Sequence, residues 1–383
     1  MGTLIQTNQV VEHLYIHFPF CQKKCKYCSF YSTNIQENNV LEYLQALKSE
    51  LAYFKTLFQL NLKTVYFGGG TPSLFPADLL SEILDSLDTD QKAEISLECN
   101  PNTLNKENLQ QYKQAGINRI SLGVQSFNDN ILKYLGRLHS ANDAQKSIYL
   151  IKDTGFENYS IDLIYGIPKQ TKSQFLLDIE QVINNNIPHI SFYCLSLDKD
   201  AALYSDINSL PTDNHISKQY HQAQEMLVNH RYKQYEVSNF SQESFESKHN
   251  LSYWTGKTYL AAGPSASGYL KSQNQKDYIR YTNLSDLKHY LNKWQDIRNI
   301  KFEQTEYINL SEQKKEYIIT RLRLNNGINL LEYENLFQEN LLESYKKHID
   351  KLMSHNLIVI ESNNLHVNPK KYLLLNEVLL EFI

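Results

Sequence analysis

The sequence predicts an α/β fold: an open, partial (β/α)6 barrel followed by a small C-terminal helical, winged-helix-like domain. Three observations predict it. Six short runs rich in β-branched and aromatic residues recur along the first half of the chain. Longer amphipathic stretches separate them. Polar or glycine-rich groups end five of these runs in succession.

The expected strands are residues 14–18, 64–67, 94–97, 119–124, 159–165 and 189–195. Between the first two, Leu41, Leu44, Leu47, Leu51, Phe54 and Phe58 repeat every three or four residues, which is a helical stripe across 40–60. Pro76 stands where a first helical residue is expected. Strands alternating with helices imply parallel pairing through right-handed crossovers. In such barrels the functional groups gather at the C-terminal strand ends. The runs here end in a cysteine loop, then Gly68-Gly69-Gly70-Thr71-Pro72, Glu98-Cys99-Asn100-Pro101, Gln125-Ser126-Phe127, and Asp162 with Gly166-Ile167-Pro168. Only 13 glycines occur in the chain, so three in a row suggest a backbone that approaches a ligand.

After about residue 232 the pattern changes. Residues 235–240 read as one more strand. The segments His249-Asn250-Leu251-Ser252-Tyr253-Trp254 and Gly263-Pro264-Ser265-Ala266-Ser267-Gly268 are expected to close the open side of the barrel. From 301 the pattern is three helices and a hairpin, with Asn363-Asn364 as the tight turn. The expected units are therefore 1–232, 233–300 and 301–383. For the last one a packing role is favoured over nucleic-acid binding.

Composition narrows the function. The chain has 383 residues, 42% of them hydrophobic, which suffices for one large domain and a smaller one. A net charge of −4 without a long basic block disfavours nucleic acid as the main partner. Residues 1–11 lack the apolar stretch of a signal peptide, and no run approaches the roughly 18–20 apolar residues of a membrane span. Cys99 and Cys194 lie inside apolar runs; free thiols suit a reducing cytoplasm.

Cys21, Cys25 and Cys28 form a C-x3-C-x2-C motif on the exit of the first strand. Three thiolates are one too few for a closed metal site. A [4Fe–4S] cluster held by three leaves one iron open to a non-protein ligand. The alternatives are a zinc knuckle completed by His17 or a distant residue, and three unrelated buried thiols. Zinc usually pairs two such motifs, and no second pair is visible.

The motif resembles the radical S-adenosylmethionine (SAM) superfamily. The wider set YIHFPFCQKKCKYCSF, YFGGGTPS, ISLECNP, RISLGVQSF, LGRLHS, SIDLIYGIPKQT, YEVSNF and HNLSYW resembles its oxygen-independent coproporphyrinogen dehydrogenase family. The dehydrogenase branch carries a further Cys two residues after the third ligand, where this chain has Phe30. The chain is instead similar to the heme-chaperone (HemW-type) branch, including its HN-x-x-YW string. The resemblance implies a radical-SAM partial barrel. It also implies a [4Fe–4S] cluster on Cys21, Cys25 and Cys28, bound SAM, and heme handed to apo-hemoproteins such as membrane respiratory enzymes. It places Tyr15 and Tyr27 near the cluster and SAM, Gly70, Thr71 and Glu98 at the methionine end, and Gln125, Arg137 and Asp162 on the carboxylate and ribose. Relatives often carry a His where this chain has Ser267, so His249 becomes the leading candidate heme ligand, ahead of His17 and His139. Lys23, Lys24 and Lys26 are either a solvated face or a docking patch for an acidic, flavodoxin-like electron donor. The alternative activity is radical oxidation of coproporphyrinogen III or another tetrapyrrole.

Overall fold

The computed structural model describes residues 5–296 and 300–383. Residues 1–4 of the expected first unit, and 297–299 just before the expected boundary at 300, lie outside the described residues. Six parallel strands form the centre of a nine-stranded sheet: Val10–Phe18, Gln59–Gly69, Thr89–Cys99, Arg119–Gln125, Tyr159–Tyr165 and His189–Cys194. They neighbour one another in chain order, as successive right-handed crossovers require. Arg119–Gln125 is buried at every position, because helices or barrel interior cover both its faces.

Two additions flank this set. Leu260–Ala262 pairs parallel with Val10–Phe18, through Leu14↔Leu260 to Ile16↔Ala262. Asn239–Ser241 pairs antiparallel with His189–Cys194 and carries Lys233–Gln234 at the outer edge. The sheet thus continues beyond residue 232. The expected strand over 235–240 is a hairpin with a bend at Val237–Ser238 instead. Glu236 is the cause: its carboxylate accepts from the Ser238 N–H at 3.1 Å and from the Asn239 side chain, which stabilises the reversal.

The first two strands start earlier than their apolar runs suggest. Val10 and Val11 pair with Gln59 and Leu60, and a bulge follows before His13. Backbone pairing there needs no apolar side chains, so periodicity does not show it. The predicted helix is Glu37–Leu57. Pro76 is the cap of helix Ala77–Asp85 rather than its first residue. Asn105, Ser140, Thr171 and Asn309 each open a helix with a capping box.

Ser267–Lys271, Tyr278–Thr282 and Glu306–Ile308 make a second, antiparallel sheet. The C-terminal part packs helices Leu310–Arg321, Leu330–Phe337 and Lys346–Ser354 on a three-stranded sheet that includes the hairpin Ile358–Glu361/Asn364–Val367. Its turn is Ser362-Asn363, at φ 49° and 67°, one residue earlier than expected; Asn364 is already paired with Glu361.

One buried carboxylate ties the closing segment to the barrel. Glu50, on the first helix, accepts from the Gly263 N–H at 2.8 Å, the Asn283 amide at 2.9 Å and the Tyr290 hydroxyl at 2.6 Å. Burial lifts its pKa to about 7 against these three donors. Glu50→Ala would leave three buried donors unsatisfied. We expect a loss of about 3–5 kcal/mol in urea unfolding, with Glu50→Gln clearly milder. Equal, small effects for both variants would show that the carboxylate is not the tie.

Candidate functional site

The loop after Phe18 folds back on the sheet. Phe20–Cys21 pairs with Thr33–Asn34, and the Lys26 N–H donates to Leu135 O at 3.0 Å. Cys21, Cys25 and Cys28 are half-buried, while Lys23, Lys24 and Lys26 are exposed around them.

A chain of hydrogen bonds joins two of the cysteines through three strand ends. The Thr71 hydroxyl donates to Cys21 Sγ at 3.6 Å and accepts from the Asn100 amide at 3.0 Å. Asn100 Oδ1 accepts from Arg137 Nη2, which also reaches Gly123 O at 2.7 Å. Arg137 Nη1 completes the chain on Cys25 Sγ at 3.3 Å. Arg137 is therefore no surface ion pair. Burial opposes its charge, but Tyr27 and Cys25 beside it outweigh that, and its pKa rises. Its Nε is buried with no partner among the described residues.

Beside this chain lies a cavity of about 450 Å3 lined by Tyr27, Tyr66, Glu98, Gln125, Asp162 and Tyr193, among others. Glu98 accepts from the Gly69 N–H at 3.1 Å and the Tyr66 hydroxyl at 2.9 Å; burial raises its pKa to about 7. Asp162 is raised to about 6, mainly by burial, although Ser121 Oγ donates to it at 3.4 Å. Gln125 has φ 67°, where the strand register slips, so its side chain leaves the regular alternation at the cavity. Tyr27 is a cavity wall, and burial raises its pKa. Tyr15 is not in the wall; it stacks behind Tyr66 with ring centres 6.1 Å apart. Phe30 is 67% exposed at the cavity mouth, so core packing does not explain it.

Gly70 has a reason within the protein. A Cβ there would meet Phe20 O at 2.5 Å and Phe18 O at 2.9 Å. The glycine run is thus required first by the close crossing of the cysteine loop, and not by a ligand alone. Sequence reasoning assigned no role to Asn100 or Tyr66. Asn100 was visible as the polar end of its strand, but nothing in the sequence couples it to Arg137.

Of the histidine candidates for heme, His249 and His17 are bonded at both ring nitrogens, while His139 Nδ1 is buried without a partner among the described residues. His249 is buried; its Nδ1 bonds Thr64 Oγ1 at 2.7 Å and its Nε2 bonds the Tyr253 hydroxyl at 2.8 Å. In this arrangement both ring nitrogens are taken up by hydrogen bonds. His17 is held by Tyr15 and by Tyr31 O, both at 3.0 Å. His139 bonds Val124 O at 3.0 Å.

The cysteine site fits an iron–sulfur cube better than a single ion. Among the described residues no three His, Cys, Asp or Glu side chains gather about one metal position. A cube spreads three thiolates over three irons. Burial raises the Cys28 thiol, and the neighbouring Cys25 and Cys21 add to it; a metal must offset that cost when all three ionise.

A partial parallel barrel with three cysteines at its first strand end defines a radical-SAM protein. The Radical SAM superfamily model matches residues 15–182, and the HemN C-terminal domain model matches 308–374. The chain is 33% identical over 377 residues to a protein of Lactococcus lactis named heme chaperone HemW, covering 96% of each. It is 34% identical over 380 residues to that of Haemophilus influenzae, covering 97% of each. The chain belongs to the HemW family. Its fold matches the solved structure of Escherichia coli coproporphyrinogen III oxidase (HemN), a radical SAM enzyme, with TM-score 0.82 and 21% identity over 98% of this chain and 90% of that one.

Burial depresses the pKa of His13 and His139 to about 4 and that of His249 to about 3. An unfolded histidine takes a proton near pH 6.5, while these folded ones refuse it until far lower. Their stabilisation is therefore complete above pH 6.5 and is lost as the pH falls towards 4. We expect His249→Gln to cost about 1–3 kcal/mol at pH 8 and progressively less below pH 6.5. A deficit that grows on acidification would contradict the neutral, doubly bonded histidine.

Proposed function

We propose that the protein binds heme and hands it to apo-hemoproteins, and that it carries a [4Fe–4S] cluster and SAM. The observation that carries this reading is the hydrogen-bonded cysteine site opening on a carboxylate-lined cavity, in a chain aligned end to end with HemW relatives. Cys21, Cys25 and Cys28 would hold the cluster. Gly70, Thr71 and Glu98 would hold the methionine end of SAM, Gln125 and Asp162 the ribose and carboxylate portions, with Tyr15 and Tyr27 packed alongside. Arg137 fixes Cys25, and its unpartnered Nε is the donor left for a carboxylate.

When bound, a reduced cluster of this kind supplies one electron to the sulfonium of SAM. The chain's own part is positional. Glu98, held by burial near half ionisation at pH 7, would gain its full charge beside an ammonium group. Asp162 offers two acceptors to ribose hydroxyls. Phe30 and Tyr27 both line the cavity. We place the protein in a reducing cytoplasm and divide it at 232 and 300. Apo-hemoproteins, membrane respiratory enzymes among them, would receive the heme. No helix among the described residues is long and apolar enough to cross a membrane.

A second reading, oxidation of coproporphyrinogen III or another tetrapyrrole, draws on the shared fold with HemN. Phe30 opposes it by replacing the extra Cys of that branch. Two outcomes test the pair. Anaerobically purified wild-type protein should contain iron and sulfide, and Cys25→Ala should lose both with the fold kept by circular dichroism. A full complement in that variant would remove Cys25 from the site. Added heme should give a Soret band, and coproporphyrinogen III should not be converted with SAM and reductant. Conversion to protoporphyrinogen would reverse the assignment in favour of the enzyme.

A further inference from the structure

Besides the barrel cavity, a larger groove of about 1190 Å3 lies between helix Lys248–Trp254 with its following loop, the hairpin Ser267–Lys271/Tyr278–Thr282, and helices Leu310–Arg321 and Leu330–Phe337. Its lining holds no His, Cys or Met, and its acids Glu316 and Glu332 are already paired with Arg280 and Arg321. That lining singles out no ligand chemistry. The deep end of the barrel cavity does.

Arg119 and His189 are the first residues of their strands, at the end away from the cysteine loop. Both line the barrel cavity, yet they are only 2% and 1% exposed. Strand beginnings in parallel barrels usually serve stability. Two observations oppose that here. First, the Arg119 guanidinium bonds only the Asn158 side chain and Phe245 O, the latter at 3.1 Å, and no carboxylate of the described residues pairs with it. A buried guanidinium without a counter-charge is costly. The acids nearby are spent elsewhere: Glu94 accepts from the Lys248 and His249 N–H groups at 3.2 and 3.0 Å, and Asp162 accepts from Ser121 Oγ at 3.4 Å. Second, a donor is orphaned. The Tyr235 hydroxyl accepts from the Ser247 N–H at 3.3 Å and donates to His189 Nε2 at 2.7 Å. His189 stays neutral, because burial, aided by the Arg119 charge, depresses its pKa. Its one ring proton therefore sits on Nδ1, which is buried without a partner among the described residues.

We infer that Arg119 and His189 form an anion subsite that takes the carboxylate of a small polar ligand other than SAM. A carboxylate has one oxygen for the guanidinium and one for the Nδ1–H, and it supplies the charge that Arg119 lacks. The strand register places serines around and above the pair: Ser160 stands opposite both Ser121 and His189, and Ser191 stands opposite Asp162. All three serines line the cavity. Their small side chains leave room for a ligand, and their hydroxyls suit a hydroxylated body better than an apolar one. Gln125, proposed above for SAM, closes the strand that Arg119 opens, six positions or about 20 Å along. The two ends of the cavity therefore serve different groups.

The test is acetate added to the full chain, against chloride at equal ionic strength. Acetate should raise the thermal unfolding midpoint saturably; at ten times its Kd the folded-to-unfolded ratio rises about elevenfold. In protein labelled with 15N-histidine, the His189 ring N–H signal, identified by its loss in His189→Gln, should move as acetate saturates. Arg119→Lys keeps the charge but loses the planar fork, and should weaken acetate about fivefold or more. Saturating SAM should leave acetate binding unchanged. A stabilisation no larger than that by chloride, a His189 signal indifferent to acetate, or equal affinity in Arg119→Lys would each overturn the subsite. Displacement of acetate by SAM would show that the deep end receives the carboxylate of SAM itself, and would overturn a separate ligand. Acetate binding is read without heme, so a protein that bound no heme would overturn the chaperone reading and leave this one standing.

Discussion

The pairing of Val10–Phe18 with neighbours on both sides is the constraint on which the rest of the structure depends. Gln59–Gly69 lies on one side and Leu260–Ala262 on the other. The first pairing brings the glycine run against the start of the cysteine loop: Gly70 N donates to Phe18 O at 2.7 Å and Thr71 N to Phe20 O at 2.8 Å. The second brings residues some 250 positions later back to the first strand. There Gly263, at φ 97°, passes so close that a Cβ would lie 2.4 Å from His17 O. Glu50 then fastens that crossing. One strand therefore sets the geometry of the cysteine site and anchors the segment that leads to the groove.

The HNLSYW string acquires a physical role from this arrangement. His249 is stacked on Tyr66 with centres 5.1 Å apart and bonded to Thr64, both on the second barrel strand. Tyr66 in turn donates to Glu98 in the barrel cavity. On its other side His249 bonds the hydroxyl of Tyr253, which is part of the groove wall. The histidine is a buried strut between the two cavities. A neutral imidazole suits that task, since it can donate on one side and accept on the other. This explains a histidine beside Tyr and Trp without calling on a metal.

Much of the barrel was legible because parallel strands buried on both faces leave long apolar runs, and their polar C-terminal ends mark the loops that follow. The six runs all lie inside observed strands apart from Leu195, one residue past the end of the last. The cysteine loop, Glu98 and Asp162 could be picked out for the same reason. What escaped had no periodic signal. Val10 and Gln59 are held by backbone pairing alone. The bend at Val237–Ser238 depends on one carboxylate turning back on its own backbone. Asn100 joins Arg137 across 37 positions, a contact that only the folded sheet creates.

The groove was hidden for a further reason. Its walls come from four segments, 253–259, 269–280, 310–321 and 332–337, and each segment alone reads as ordinary surface. Trp254 follows a short helix, Tyr269 and Tyr278 face one another only through strand pairing, and Phe337 ends a helix in the C-terminal part. The C-terminal helices were expected to serve packing, and part of their surface does pack on the core. Packing and cavity lining are not exclusive here. The face of Leu310–Arg321 that meets the sheet buries Ile318, while Leu310, Gln313 and Arg321 of the same helix line the groove. An amphipathic helix with one face in the core and another on a cavity holds that cavity's wall rigidly. Burial of Ile318 thereby fixes the positions of side chains that never touch the core.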